Sequence, residues 1–182
     1  MDRFKISNTY IGEGERTFII AELSANHLHN FELAKRTIKA MKKSGADAVK
    51  VQTYTADTIT IDSDKKYFRI NQKTIWDGQT LHQLYQKAYT PWDWQPKLQK
   101  IAEDLGLIFF SSPFDKSAVD FLEKMKIPAY KIASFEITDV GLIEYVSKKN
   151  KPISISTGIA TLQDIREAIK TVKKPATKRL LC

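Results

Sequence analysis

At 182 residues, 42% of them apolar and 27% charged, the chain has the length and composition of one globular domain, which sets aside intrinsic disorder. Its formal charge of +8 is compatible with an anionic partner, but the lysines gather in helix-like segments, as on solvated faces, and no basic stretch carries a motif that reads nucleic acid, so no nucleic-acid partner is expected. The single cysteine, Cys182, excludes an internal disulfide framework and a CxxC metal site; no apolar run is long enough to span a bilayer, and MDRFKISNTY lacks the apolar centre of a secretory signal, so the expected location is the cytoplasm, with no membrane partner.

Residues 4–17 alternate weakly and hold Gly12 and Gly14, which predicts a hairpin leading into the first buried strand. A dinucleotide-binding reading of IGEGER fails, because its glycines precede a strand instead of following one. The run FIIAELSANH is strand one; Asn30 then caps a helix with Ala34, Ile38 and Met41 on one face, stopped by Gly45. Strand two spans 48–52. A long excursion follows through Thr90, carrying Tyr54, Tyr67, Phe68, Trp76, Tyr85 and Tyr89, with helical spacing at Leu81, Leu84, Tyr85 and Ala88 and with His82 on the polar side of that short helix. An insertion of this length either covers a site or is a surface loop that buries its own aromatics. The next helix has two candidate starts, Thr90 with Pro91 and Asp93, or a later one with Pro96 in its first turn, and its buried face is Leu98, Ile101, Ala102 and Leu105.

Strand three covers 107–111, and Asp115 caps a helix presenting Ala118, Leu122 and Met125. Strand four covers 129–133, ahead of a helix around Leu142, Ile143 and Val146. Strand five covers 153–156, and Thr161 with Asp164 makes a capping-box pattern before Ile165, Ile169 and Val172. Pro175 ends that helix, and 179–182 read as the first residues of a sixth strand. Unbroken β, α alternation predicts an α/β fold with a parallel sheet and right-handed crossovers: a (β/α)8 barrel of TIM type, truncated after about five βα units.

Polar residues collect at the C-terminal ends of these strands, where such a barrel keeps its chemistry. Glu22 ends the apolar run FIIAE, so its carboxylate is hydrogen-bonded, paired or functional, since unpaired burial is expensive. Lys50, inside AVKVQ, requires an anionic partner, either a ligand or Glu22 itself, and Gln52 faces the same way two residues on. Lys131 holds the equivalent place in AYKIASFE, followed by Ser134 and Glu136. Two lysines converging on a barrel mouth, with Ser111, Ser112, Ser156 and Thr157 around them, make a site for phosphate or carboxylate, although the hydroxyls before Pro113 and Gly158 also suit plain turns. The HxH of His27 and His29 has a spacing that metal sites use, but two ligands are too few for a closed site and NHLHN reads as a loop capping the next helix.

The segments IIAELSANH, GADAVKVQTYTADT, TIWDGQTLHQLYQKAYTPWDW, FSSPFD, YKIASFE and ISTGIAT occur in this order, and together the chain resembles the sialic acid synthase family. The TIWDG to TPWDW stretch favours its pseudaminic acid synthase branch over the N-acetylneuraminate and legionaminic acid branches, which stay as alternatives. The resemblance implies condensation of phosphoenolpyruvate with 2,4-diacetamido-2,4,6-trideoxy-L-altrose, C–O cleavage releasing phosphate, and a divalent metal, Mn or Mg, that polarises the aldehyde. Carried over by motif, Lys50, Ser112, Lys131, Ser134 and Ser156 correspond to phosphoenolpyruvate contacts, and Glu22, Gln52 and Glu136 to sugar-side or proton-handling positions, with Glu22 and Glu136 the catalytic candidates. It also implies that residues 1–182 are the N-terminal portion of the synthase barrel, that the metal ligands, the last strands and a C-terminal antifreeze-like domain lie outside this chain, that the full-length protein is a homodimer, and that this chain alone is inactive. A basic nucleic-acid-binding module is the alternative outside enzymology.

Overall fold

The computed structural model describes residues 3–173, and Leu180–Leu181 as backbone. The first element is the expected hairpin, with β1 (Phe4–Ile6) antiparallel to β2 (Thr9–Ile11), and Phe4 and Ile6 turned into the core. From there β3 (Ile20–Ser24), α1 (Phe31–Lys43) and β4 (Ala48–Thr53) form one βα unit. The insertion holds α2 (Ala56–Ile59) and α3 (Leu81–Lys87). Then α4 (Gln95–Asp104), β5 (Ile108–Pro113), α5 (Lys116–Lys124), β6 (Tyr130–Ile132), α6 (Val140–Ser147), β7 (Ile153–Ile155), α7 (Leu162–Lys173) and the short β8 (Leu180–Leu181) complete the order.

The six strands β3 to β8 lie in sequence order, each parallel to the next. That is the winding of a TIM barrel and not of a doubly wound sheet, whose order reverses at a switch point. Five βα units precede β8, which pairs with β7 through Ile153 and Leu180. The end of the fifth helix at Pro175 lies outside the described residues. Among the described residues no helix is long and apolar enough to cross a membrane.

Local signals set the helix boundaries. The Asn30 side chain accepts from Leu33 N at 2.9 Å, and Asp115 accepts from Ser117 N and Ala118 N. Thr161 and Asp164 close a reciprocal box, each backbone N–H donating to the other's side chain. Both starts foreseen for α4 are used in series: Pro91 opens a 3₁₀ turn over Trp92–Trp94, and α4 follows with Pro96 in its first turn, where no amide donor is missed. One face of the sheet, with Val49, Val51, Phe109, Tyr130, Ile132 and Ile153, joins a single core with Ile38 of α1, Leu98 of α4, Leu122 of α5, Ile143 of α6 and Val172 of α7. Each such side chain contributes about 1.5–3 kcal/mol by leaving water.

Candidate active site

Register decides which strand residues share a face. Glu22 pairs with Lys50, Gln52 with Ser112, and Lys131 with Ser154 across the parallel ladders, so these side chains alternate with the core-facing set. The opposite face is marked by contacts to helices: Thr53 Oγ1 donates to Gln95 Oε1 of α4 at 2.8 Å, and the Tyr130 hydroxyl donates to Glu123 of α5 at 2.6 Å. Ser111 belongs there. Its hydroxyl donates to Thr53 Oγ1 at 2.7 Å and lies 3.1 Å from Val51 O, so it braces β5 against β4 and is not beside the lysines as expected. Adjacent strand residues point to opposite faces, and of the serine pair Ser112 takes the inner one.

On that inner face Lys50 is buried and pairs with Glu22 at 3.1 Å. The glutamate is itself largely exposed among the described residues, where β3 stands at the end of the strand order, and the pairing with Lys50 that its place in FIIAE called for is present. Lys131 is half-buried; its ammonium donates to Ser156 Oγ and to Ile132 O. Burial pushes Lys131 below the ordinary lysine value and the Lys50 charge adds to the effect, while Glu22 and Glu136 oppose it. The two lysines therefore repel each other across one patch, and an anion between them relieves both. Ser112 Oγ is buried with no hydrogen-bond partner, a free donor on the same face.

The loops after β6 and β7 close the patch. Ser134 Oγ accepts from Ile159 N at 3.2 Å, and Gly158 makes that approach possible, because a Cβ there would sit 2.8 Å from the hydroxyl. Glu136 opens the 3₁₀ turn Glu136–Thr138, half-buried, with one carboxylate oxygen buried and unpartnered. Burial raises it above the ordinary glutamate value, Asp139 adds to this, and its own backbone N–H and Lys131 pull the other way.

Residues 37–182 match the NeuB family. A pseudaminic acid synthase from Campylobacter jejuni is 46% identical over 171 residues, 92% of this chain and 50% of the relative. The chain belongs to the NeuB family. An N,N'-diacetyllegionaminic acid synthase from Legionella pneumophila is 37% identical over 163 residues, 89% of this chain and 45% of the relative. The crystal structure of the spore coat polysaccharide biosynthesis protein SpsE from Bacillus subtilis superposes with a TM-score of 0.79 at 30% identity, over 98% of this chain and 46% of that one. The chain thus spans about half the length of the curated relatives it matches.

Within this NeuB-family chain the insertion lies near the patch, one of the two readings its length allows. Tyr85 of α3 is half-buried; burial raises its phenol and the nearby Glu136 charge raises it further, so an insertion side chain and a strand-end carboxylate share one locality. The insertion is anchored onto the barrel by Tyr54, whose ring packs on Tyr85 and Phe114 and whose hydroxyl donates to Ala88 O. His82 departs from its expected place. Expected on the polar side of α3, it is buried, 2.8 Å from Asp57 Oδ1, because α2 packs against that face of α3 and supplies the carboxylate. Among the described residues no three His, Cys, Asp or Glu side chains stand together to hold a metal ion, so the divalent metal implied by resemblance finds no ligand set here.

Proposed function

We propose that this chain carries the phosphoenolpyruvate-binding half of a pseudaminic acid synthase barrel. The observation that carries the reading is the pair Lys50 and Lys131, two ammonium groups from different strands, mutually repelling on one inner face beside the unpartnered hydroxyl of Ser112. A ligand with a phosphate at one end and a carboxylate at the other answers both cations, and Ser134 and Ser156 follow the ends of β6 and its neighbour β7. Higher identity to the pseudaminic relative than to the legionaminic one supports that branch.

In the reaction so assigned, C3 of phosphoenolpyruvate forms a carbon–carbon bond to the aldehyde of a diacetamido-trideoxy sugar and the aldehyde oxygen gains a proton. Water adds at C2, and phosphate departs with cleavage of the C–O bond. Glu136, raised by burial, suits proton transfer; Glu22 and Gln52, at the open end of the patch, suit the sugar side. The remaining strands, the metal ligands and the antifreeze-like domain are assigned to sequence outside this chain, as is the dimer contact.

Titrating phosphoenolpyruvate into the chain by calorimetry tests this. Saturable binding is expected, weakened at least tenfold in Lys50→Met and in Lys131→Met. A wild type that ignores phosphoenolpyruvate but binds RNA with steep salt dependence overturns it in favour of the nucleic-acid module. The branch is decided by offering the sugar aldehydes of the pseudaminic, legionaminic and N-acetylneuraminate routes to a form completed with the rest of the barrel.

A further inference from the structure

The imidazole of His27 is fully buried on the loop between β3 and α1, and nothing in the proposed reaction uses it. Its Nε2 lies 3.0 Å from Thr90 Oγ1. Thr90 donates its one hydroxyl proton to the backbone oxygen of Ser24, at 2.9 Å. The same hydroxyl must then accept from His27, which fixes the proton on Nε2. Nδ1 is left bare, and it is buried without a partner. A charged ring would drive an N–H into that spot with no acceptor, and burial with the neighbouring His29 holds His27 below the ordinary histidine value.

The chain of bonds from His27 through Thr90 to Ser24 ties the end of β3 and the loop after it to the end of the insertion. Ser24 ends the strand that bears Glu22, His27 lies in the loop from there to α1, and Thr90 ends the insertion that carries Tyr85 towards Glu136. The ring of Trp94, 5.5 Å away between centroids, walls His27 from outside. We propose that His27, as the Nε2–H tautomer, is a positioning residue that acts through Thr90 to fix the insertion over the barrel mouth. The value of that position for substrate rests on the synthase reading; the tautomer and the clamp do not.

The test is made on the whole chain. Nitrogen-15 spectra of labelled histidine are expected to show His27 neutral with its proton on Nε2, and a proton on Nδ1, or a charged ring at neutral pH, overturns the proposal. Glutamine places an amide donor where Nε2 stands and asparagine places one where Nδ1 stands. In hydrogen exchange His27→Gln and Thr90→Ser are expected to match wild type, while His27→Asn and Thr90→Val exchange at least tenfold faster across α2 and α3 with β4 and β5 unchanged. Asparagine as protective as glutamine, glutamine as loose as asparagine, or acceleration spread evenly through the sheet each overturns it. Phosphoenolpyruvate titrated into the same wild-type sample reports separately: absence of binding there removes the synthase reading and leaves the tautomer and exchange results to decide the clamp.

Discussion

The Lys50 ammonium, 7% exposed, is paired at 3.1 Å with the Glu22 carboxylate, 59% exposed, so the half of the ion pair that faces water is the half a ligand can replace. Removing Glu22 strands a buried cation, which is costly, but solvent access around the glutamate screens much of the effect. Glu22→Ala is therefore expected to lower stability by about 1–2 kcal/mol without ligand. Phosphate or phosphoenolpyruvate, by binding only the folded chain, should restore more stability to the variant than it adds to wild type. Denaturant unfolding with and without the anion measures both; equal midpoints for the two proteins in both conditions would show that Glu22 is not the counter-ion.

Ser112 presents a buried hydroxyl with no partner. An unmet buried polar atom costs about 1–3 kcal/mol, so Ser112→Ala is expected to leave the unliganded protein equally or more stable. The same change should weaken phosphoenolpyruvate binding roughly tenfold, the worth of one hydrogen bond to a charged group. Stability gained at the expense of affinity marks a residue kept for its ligand. Loss of stability with affinity intact would assign the hydroxyl to the core instead.

Lys131 makes stability depend on pH in a definite direction. Its folded value lies below the ordinary 10.5, so the folded chain binds fewer protons than the unfolded one between those two values, and stability rises with pH across that interval. Below the interval the penalty of the half-buried charge is present in full. Lys131→Met should remove it, raising the unfolding midpoint at neutral pH and flattening the alkaline rise. Anion affinity runs the other way, falling as pH climbs through the lowered value and the ammonium is lost. Unfolding and calorimetric titrations from about pH 6 to about pH 10 follow both, and a wild-type profile in the methionine variant would show that this lysine does not carry the effect.

What was readable in the sequence was local or periodic. Asn30, Asp115 and the Thr161–Asp164 box reach partners two or three residues away, so their spacing alone announces the caps. Strand period two likewise places Lys50 and Gln52 on one face. The features that depart from the sequence pattern are long-range. Which of Ser111 and Ser112 faces the lysines depends on the register of β5 against β4, set by pairs some sixty residues apart such as Val51 with Ser111. Local spacing does not turn His82 inward, because Asp57, its partner, stands 25 residues earlier on another helix. The apolar run FIIAE announces that Glu22 needs a partner, and the partner, Lys50 on the neighbouring strand, is set by the pairing of β3 with β4.

Gly158 and Ser134 supply the sharpest structural test, because the two loops touch through a missing side chain. An alanine Cβ at Gly158 would stand 2.8 Å from Ser134 Oγ but at an ordinary 3.7 Å from Ser134 Cβ. The hydroxyl must then rotate away, giving up the bond it accepts from Ile159 N. Gly158→Ala should cost about 1 kcal/mol, the net worth of such a bond, and Ser134→Ala less, since Ile159 N is exposed and water can replace the serine. In the double variant nothing is left to collide, so its loss should fall short of the sum of the single losses, a coupling that additive sites do not show. Phosphoenolpyruvate binding separates structure from function here: the double variant recovers stability yet stays weakened for the ligand, because the Ser134 hydroxyl is gone. Strict additivity in stability, or full affinity in the double variant, would remove Ser134 from the site.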